Sequence, residues 1–231
     1  MIRVITWNIH GGTDADGKSS TLQITDTLAV NTADVVVLQE VPNLKWANAL
    51  GETLGMFVFF QQTNSATGMG NLILSTKPAD AVTYSWFRTW GFSCSREQRG
   101  AVAVSLEDVT VVCTHLGADI TMLEQFFGAQ RVHTFTKTLP GKVILAGDFN
   151  AHYFSPAMCF MRWCGWKDMW RKTVNRVHGY FAGCTFHTKL PFQRIDYIMC
   201  KSCSVTPTRA HLVCGDVPES DHRGVLVEMS M

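Results

Sequence analysis

Apolar residues alternate with polar ones over many short runs of the chain, the period of two that is typical of strands with one buried face. These runs are rich in Val, Ile, Phe and Thr, and Gly or Pro separates many of them. The predicted strands are residues 3–8, 34–39, 56–62, 70–75, 80–87, 100–106, 109–114, 142–148, 194–200, 204–213 and 224–229. Strands therefore dominate the chain, and several of them end in a polar residue.

Four segments show features of helices instead. The predicted helices are residues 20–32, 42–54, 121–138 and 156–164. In the second, Pro42 stands near the first helical position and Gly55 follows the last, an arrangement that favours a helix between them. Ser155 and Pro156 are a favourable cap and first-turn pair for the fourth.

The order of these elements indicates the architecture. Two helices lie near the start of the chain and two lie after a long block of strands. Such an order predicts two stacked sheets covered by helices, a four-layer α/β arrangement. We find no linker, repeat or low-complexity tract, so we expect residues 1–231 to form a single domain.

Composition and charge narrow the class of protein. Hydrophobic residues make up 46% of the chain, as in a globular protein. The formal net charge of +1 argues against non-specific binding to a long nucleic acid, but it is compatible with a short or terminal nucleic-acid substrate. The chain contains no run of 18 apolar residues, so the sequence predicts no transmembrane helix. Since the first residues also lack a signal-peptide pattern, we expect an intracellular protein, cytoplasmic or nuclear.

The cysteines raise one further possibility. Cys200, Cys203, His211 and Cys214 are four residues of the types that ligate zinc. The same stretch can be interpreted as a strand, a turn and a strand, a hairpin whose cysteines bind nothing. We favour the hairpin, because ligand spacings of this kind also occur by chance.

Polar residues at strand ends are the candidates for chemistry. Asn8 ends the first predicted strand and Glu40 follows the second. Parallel strands joined by one helix are often neighbours, so these side chains can meet. Carboxylate and amide oxygens suit Mg²⁺, with Mn²⁺ as a possible substitute. Alternatively, Glu40 caps the helix that begins near Pro42.

A second group follows the strand 142–148. Asp148 and Asn150 are two residues apart, so in an extended segment their side chains face one site. The alternative is an Asx turn that closes the strand. His115 and His222 also stand at strand ends, and Asp196 lies on a strand. A carboxylate that accepts a hydrogen bond from an imidazole fixes its tautomer and favours its cation, as acid–base catalysis requires.

Further residues are candidates for binding substrate. His10 and His152 each stand two residues after an asparagine, where they can line the mouth of a site. Arg99 belongs to a basic stretch with Arg88 and Arg96 that can neutralise a phosphate. Aromatic and basic residues are also interspersed in a later segment that contains Trp163, Trp166 and Trp170. For these tryptophans we favour a place in the hydrophobic core over nucleobase binding.

Eight motifs together resemble the endonuclease/exonuclease/phosphatase superfamily, which includes deoxyribonuclease I. They run through essentially the whole chain, and the set is specific although each motif alone is not. In chain order they are TWNIHG (6–11), LQEV (38–41), GNLILS (70–75), QRGA (98–101), THL (114–116), LAGDFNA (145–151), RIDYI (194–198) and SDHR (220–223).

The resemblance implies a four-layer αββα sandwich, with two mainly antiparallel β-sheets flanked by helices, and Mg²⁺-dependent cleavage of a phosphoester by a monomer. It assigns the metal to Glu40, with Asn8 in or beside the same shell and Asp221 near a metal. His222, oriented by Asp196, is expected to act as a base or to stabilise the phosphorane. The remaining assignments are water activation by Asp148, phosphate binding by Asn150, and assistance on the leaving-group side by His115.

The resemblance leaves the substrate open. The motifs are most similar to the small metal-dependent hydrolases related to sphingomyelinase, while the GDFNAH segment at 147–152 also resembles retroelement endonucleases. We expect a phosphodiester hydrolase of the nuclease-like or DNA-end-processing kind. A phosphomonoesterase, or a hydrolase of phospholipid headgroups or inositol phosphates, is the first alternative, and a non-catalytic binding module is the second.

Overall fold

The computed structural model describes residues 1–87, 98–119, 121–173, 183–201, 204–214 and 219–231. The strands are β1 (Ile2–Asn8), β2 (Val35–Val41), β3 (Phe57–Gln62), β4 (Gly70–Ser75), β5 (Ala81–Phe87), β6 (Arg99–Leu106), β7 (Val109–His115), β8 (Lys142–Asp148), β9 (Lys167–Asp168), β10 (Asp196–Cys200), β11 (Thr206–Val213) and β12 (Gly224–Ser230). The helices are α1 (Thr21–Val30), α2 (Leu44–Leu54), α3 (Leu123–Thr136), α4 (Pro156–Trp163) and α5 (Met169–Thr173). A short 3-10 turn, His10–Gly12, follows β1.

The strands form two six-stranded sheets with the same pattern of directions. The first sheet has the order β11-β12-β1-β2-β4-β3, and the second has the order β5-β6-β7-β8-β10-β9. In the described residues each sheet contains one parallel pair, β1 with β2 and β7 with β8, and its other pairs are antiparallel. The expected pair of mainly antiparallel sheets is therefore confirmed.

Three clusters of buried side chains separate four layers. The middle cluster joins the inner faces of the two sheets through Val4, Val37, Val111, Ile144 and Val227. A second cluster packs α1 and α2 on the outer face of the first sheet, and a third packs α3 and α4 on the outer face of the second sheet. The order of layers is helix, sheet, sheet, helix, which confirms the αββα sandwich.

Successive side chains on a strand point to opposite faces of the sheet, and this alternation determines which polar side chains reach the space between the two sheets. Ile144 and Ala146 face the middle cluster, so the next inner position on β8 is Asp148. By the same alternation Ile198 and Cys200 place Asp196 on the inner face of β10. The inter-sheet core thus ends in carboxylates at one end of the sandwich.

Several local predictions are wrong. Helix α2 begins at Leu44 rather than near Pro42, because the Asn43 side chain accepts a hydrogen bond from the backbone N–H of Trp46 and caps the helix. That cap also shows that Glu40 does not cap the helix. The pattern of residues 167–173 did not predict β9 and α5, which are too short to show a period.

The predicted hairpin around Cys200 and His211 is also wrong. Cys200 lies in β10 of the second sheet, whereas His211 lies in β11 of the first. Cys203 lies outside the described residues, so the zinc alternative stays untested at that position. Among the described residues, the free thiols include Cys113, Cys159, Cys164, Cys184 and Cys214.

The three tryptophans of the late segment have different environments. Trp166 and Trp170 are buried in the core clusters, as predicted, but Trp163 is 85% exposed at the end of α4. Gly165, which follows, has a left-handed backbone that ends the helical spacing. The core role is therefore confirmed for two of the three.

No helix in the described part of the chain is both long and apolar enough to cross a membrane.

Because β7 and β8 are in close contact beside the site, we expect the stability of the protein to be sensitive to substitution of Gly147. At Gly147, φ is +148° and an added Cβ would overlap the carbonyl oxygen of Thr114. We expect Gly147→Ala to lower the free energy of unfolding by about 3 kcal/mol or more, since overpacking adds to backbone strain. The measurement is urea denaturation at equilibrium.

Gly55→Ala is the matched control for that variant. Gly55 also has a positive φ, but nothing lies within 4 Å of its added Cβ. We expect a loss of only about 1 kcal/mol, the cost of the left-handed conformation. Equal losses in the two variants would contradict close packing at Gly147.

Candidate active site

A row of three polar side chains crosses the second sheet on its inner face. Asp196 of β10 is paired directly with Asp148 of β8, and Asp148 is paired directly with His115 of β7. Each side chain is at least nine-tenths buried. Two carboxylates in adjacent paired positions repel each other and lose their hydration, so this row requires a positive partner.

His222 supplies the positive charge. Its Nδ1 lies 2.9 Å from Oδ2 of Asp196, and its Nε2 lies 3.8 Å from Oδ2 of Asp148. Burial alone would lower the pKa of His222, but Asp196 and Asp148 outweigh it and raise the pKa to about 10. The ring is therefore an imidazolium held between two carboxylates at neutral pH.

Asp148 is the centre of the group. Burial and the neighbouring charge of Asp196 raise its pKa to about 7, against the opposing effect of His222. Its Oδ1 accepts the backbone N–H of Asn150 at 2.8 Å, and its Oδ2 accepts the side-chain amide of Asn8 at 3.1 Å. The carboxylate is thus fixed from two sides by amide donors.

The turn after β8 explains how Asn150 joins this group. Asn150 has φ of +48°, so the segment is not extended and the predicted shared face of an extended strand is wrong. The alternative, an Asx turn at Asp148, is present, because the Asp148 Oδ1 accepts the backbone N–H of Asn150. Asn150 Nδ2 donates to the carbonyl of Leu116 at 3.0 Å and lies 3.1 Å from Nε2 of His115.

The first sheet contributes Asn8 and Glu40. These residues end β1 and interrupt β2, which are adjacent parallel strands as predicted. Asn8 Nδ2 lies 3.1 Å from Oε1 of Glu40 and from Oδ2 of Asp148, so one amide joins carboxylates from both sheets. Glu40 stands in a β-bulge with φ of +55°, an uncommon conformation that turns its side chain toward the site.

His115 carries no charge here. Its pKa lies well below the usual value because the ring is buried and because Arg99 and His222 are nearby cations. Arg99 Nη1 lies 2.9 Å from Nδ1 of His115, and a guanidinium can only donate. The Nε2 of the ring lies 3.3 Å from the same Arg99 nitrogen and 3.5 Å from Oδ2 of Asp148.

Two groups of side chains were considered as metal ligands. Asp148, Asp196 and His222 offer ligand atoms within 4.8 Å of one another in the described residues. Both ring nitrogens of His222 face carboxylates, Nδ1 at 2.9 Å from Asp196 and Nε2 at 3.8 Å from Asp148, so this trio is explained by ion pairing within it. Glu40 and Asp148 offer the hard carboxylate oxygens that suit Mg²⁺, and Asn8 Nδ2 donates to both of them. The Asn8 Oδ1 accepts the backbone N–H of His10.

The remaining candidates line the rim at different distances from this centre. Asp221 Oδ1 lies 4.0 Å from Nδ1 of His10, which places both residues beside the His222 loop. His152 lines a separate cavity together with Arg194, which precedes Asp196 by two residues. Arg88 and Arg96 lie outside the described residues, and Arg99 is the member of that basic stretch that reaches the site.

The sequence did not predict the residues that hold His222. The indole N–H of Trp7 donates to the His222 carbonyl at 2.9 Å, and Ser220 Oγ bridges the Asn8 carbonyl and the His222 N–H. The ring of Phe186 lies 4.9 Å from the imidazole, centroid to centroid. Trp7 and Ser220 lie inside the motifs that drew attention to this region, whereas Phe186 lies in a stretch without strand periodicity.

The ion pair of His222 and Asp196 predicts a change in titration. We expect Asp196→Asn to lower the His222 pKa from about 10 by about one to two pH units, the worth of a charge-assisted hydrogen bond. Because the folded-state pKa exceeds the usual 6.5, the pair stabilises the fold below that value and the contribution is lost as pH rises through 10. The measurement is an NMR titration of the imidazole Cε1–H in chelator.

Asp221→Asn serves as the control, since Asp221 is the weakest of the named influences on His222. An equal change in both variants would contradict a dominant pair with Asp196.

Comparisons with known structures identify proteins of similar fold. The chain is 20% identical to an endonuclease/exonuclease/phosphatase from Beutenbergia cavernae over all of this chain and 71% of the other, with a TM-score of 0.81. A Bacteroides vulgatus protein of the same description is 18% identical over 100% and 98% of the two chains, with a TM-score of 0.81. The mannosyl-6-phosphatase of Bacteroides thetaiotaomicron is 18% identical over both whole chains, with a TM-score of 0.80.

These structural likenesses show the fold alone, and no curated protein matches the sequence. The model of the endonuclease/exonuclease/phosphatase family matches residues 5–222, nearly the whole chain and every motif described above except the last residue of SDHR. The chain therefore belongs to the endonuclease/exonuclease/phosphatase family.

Proposed function

We propose that this protein is a Mg²⁺-dependent phosphodiester hydrolase of the nuclease-like or DNA-end-processing kind. Members of its family hydrolyse phosphoester bonds. The observation that carries the proposal is the His222 imidazolium between Asp196 and Asp148, with Glu40 and Asn8 beside them. This combination presents positive charge, a proton acceptor and hard oxygen ligands at one place, as attack on a phosphate requires.

Glu40 would hold the metal, with Asn8 in or beside the same shell and Asp221 at the rim as a further candidate. When bound, Mg²⁺ neutralises charge on the phosphate and stabilises the leaving oxygen. Two observations support the fit. The Glu40 carboxylate is only partly exposed and reaches the site through a strained backbone, and Asp148 beside it is buried with a raised pKa. Both features indicate carboxylates arranged for a cation.

His222 and Asp148 would divide the acid–base and electrostatic work. Because His222 is held as a cation by two carboxylates, it suits the stabilisation of negative charge that develops on the phosphorane. Asp148 accepts hydrogen bonds from two amides and retains lone pairs for water. Asp148 is therefore the proposed residue that orients the attacking water and takes its proton.

Asn150, His115 and Arg99 would surround the phosphate on the side of the second sheet. The Asn150 amide is a hydrogen-bond donor, and the neutral His115 ring beside it adds no charge. Arg99 brings the fixed positive charge that suits a phosphate oxygen. These groups favour transfer of a phosphoryl group whose leaving oxygen lies near His115.

A phosphomonoesterase is the second candidate, because a structural neighbour of the same architecture is a mannosyl-6-phosphatase. The lipid-headgroup alternative has weaker support. Its suspected membrane loops, around Phe57 and from Tyr84 to Phe87, are the paired strands β3 and β5. The complete set of catalytic side chains argues against a non-catalytic module.

The proposed roles predict the loss of activity in two variants. We expect Asp148→Ala and His222→Ala to lower kcat/KM by roughly 10²-fold or more, the usual worth of acid–base or electrostatic groups. The measurement is hydrolysis of bis(p-nitrophenyl) phosphate and of single- and double-stranded DNA with Mg²⁺. Glu52→Ala, on the exposed side of α2, is the control. Substrate hydrolysis in the presence of chelator, or full activity in both variants, would contradict the proposed mechanism.

The metal assignment predicts a binding difference that does not depend on turnover. We expect Glu40→Gln to weaken Mg²⁺ binding by roughly 10-fold or more, since a carboxylate ligand is lost. The measurement is isothermal titration calorimetry with Mg²⁺ on chelator-treated protein. Glu52→Gln is the matched control, because it removes one negative charge far from the site. Unchanged Mg²⁺ affinity in Glu40→Gln would refute the assignment.

A further inference from the structure

A cavity of about 280 Å³ opens beside the catalytic centre. Its wall comes from the turn after β8, from α5 and from the loop before β10, which contribute His152, Tyr153, Arg171, Phe192 and Gln193. None of these residues takes part in the proposed chemistry. Phe192 is a large apolar side chain that is 50% exposed.

Three connections join the cavity to the catalytic centre. His152 follows Asn150 by two residues along the chain. The hydroxyl of Tyr197, next to Asp196, contacts the carbonyls of Ala151 at 2.9 Å and Arg194 at 2.8 Å, so the two walls are held together.

The third connection is aromatic. The ring of Phe192 lies 6.2 Å from that of Phe186, which itself packs on the His222 imidazole. The Phe192 N–H also donates to the Phe186 carbonyl at 3.1 Å, which fixes the loop. A group in the cavity is therefore a neighbour of a phosphate at His222.

The wall combines a flat apolar surface with hydrogen-bonding groups. Phe192 offers an exposed ring, and Gln193 offers an amide that both donates and accepts. His152 Nδ1 accepts the N–H of Phe154 at 3.3 Å, so Nε2 is the ring nitrogen that can donate. An aromatic ring with polar edges suits such a wall, and a volume of this size accommodates one nucleobase.

Charge selects among the possible occupants. The guanidinium carbons of Arg162 and Arg171 each lie 4.0 Å from the centroid of the Tyr153 ring, so two cations cover this aromatic side chain. A quaternary ammonium headgroup would be repelled by them and would lose the aromatic face that it prefers. The flanking phosphates of a nucleotide chain are attracted by the same cations.

We infer that this cavity binds the nucleobase next to the scissile phosphodiester, with the base against Phe192 and the flanking phosphate near Arg171. The inference rests on the proposed phosphodiesterase activity and names its substrate class as nucleotides. Phe192 is thereby a specificity-determining residue. The contact adds binding energy to nucleotide esters and none to small alkyl esters.

The test compares esters that release the same leaving group. The holoenzyme with Mg²⁺ is assayed on thymidine 5′- and 3′-(p-nitrophenyl phosphate), on methyl p-nitrophenyl phosphate and on p-nitrophenylphosphorylcholine. We expect kcat/KM for one thymidine ester to exceed that for the methyl ester by roughly 5- to 100-fold, the scale of one base–aromatic contact. We expect Phe192→Ala to lower the ratio of kcat/KM for the thymidine ester to that for the methyl ester to near 1, and Phe192→Trp to preserve the ratio.

Leu190→Ala is the matched control, because Leu190 is exposed in the same loop and does not line the cavity. We expect its ratio to equal that of the wild type. Equal kcat/KM for thymidine and methyl esters, a preference that survives Phe192→Ala, or a preference for the phosphorylcholine ester would overturn the base-binding cavity. In those cases hydrolysis of the methyl ester keeps the proposed function intact. Absence of hydrolysis with every ester would overturn the proposed function and the cavity together.

Discussion

The structure depends on the neutralisation of two buried carboxylates that face each other across β8 and β10. Asp148 and Asp196 are paired positions at the end of a dry inter-sheet core, and their repulsion is relieved by the His222 imidazolium between them. Since His222 enters from the loop before β12 in the other sheet, the charge cluster also holds the two sheets together at this end. Trp7 of that sheet and Ser220 of the same loop support His222 by hydrogen bonds to its backbone.

The two sheets contribute different parts of the chemistry. The second sheet supplies Asp148, Asp196 and His115 as a row of paired residues. The backbone hydrogen bonds between the strands keep the distances between these residues fixed. The first sheet supplies Asn8 and Glu40, and the Asn8 amide bonds to a carboxylate of each sheet. A site built this way costs little reorganisation during reaction, because its groups are held before substrate binds. The cavity at Phe192 lies beyond this framework, in loops, where the substrate class can vary without disturbing the catalytic row.

Much of the fold followed from the hydrophobic pattern, and the exceptions have physical causes. Strands such as β8 and β12 were predicted because their alternation is long enough to show a period of two. The short elements β9 and α5 show no period. Helix α2 begins at Leu44, two residues later than predicted, because the Asn43 side chain caps it. The false hairpin at Cys200 arose because two strands that follow each other in sequence belong to different sheets.

The sequence by itself determined which residues would stand at the ends of buried strands, and therefore that Asn8, Asp148, Asp196, His115 and His222 were candidates for one site. Alternation and turn residues are local, so they can be recognised without the fold. Only the tertiary structure decided that Asp196 opposes Asp148, that His222 is charged while His115 is neutral, and that Phe192 lines a cavity near them. Charge states and cavities depend on burial and on neighbours distant in sequence, and strand pairing across two sheets sets both.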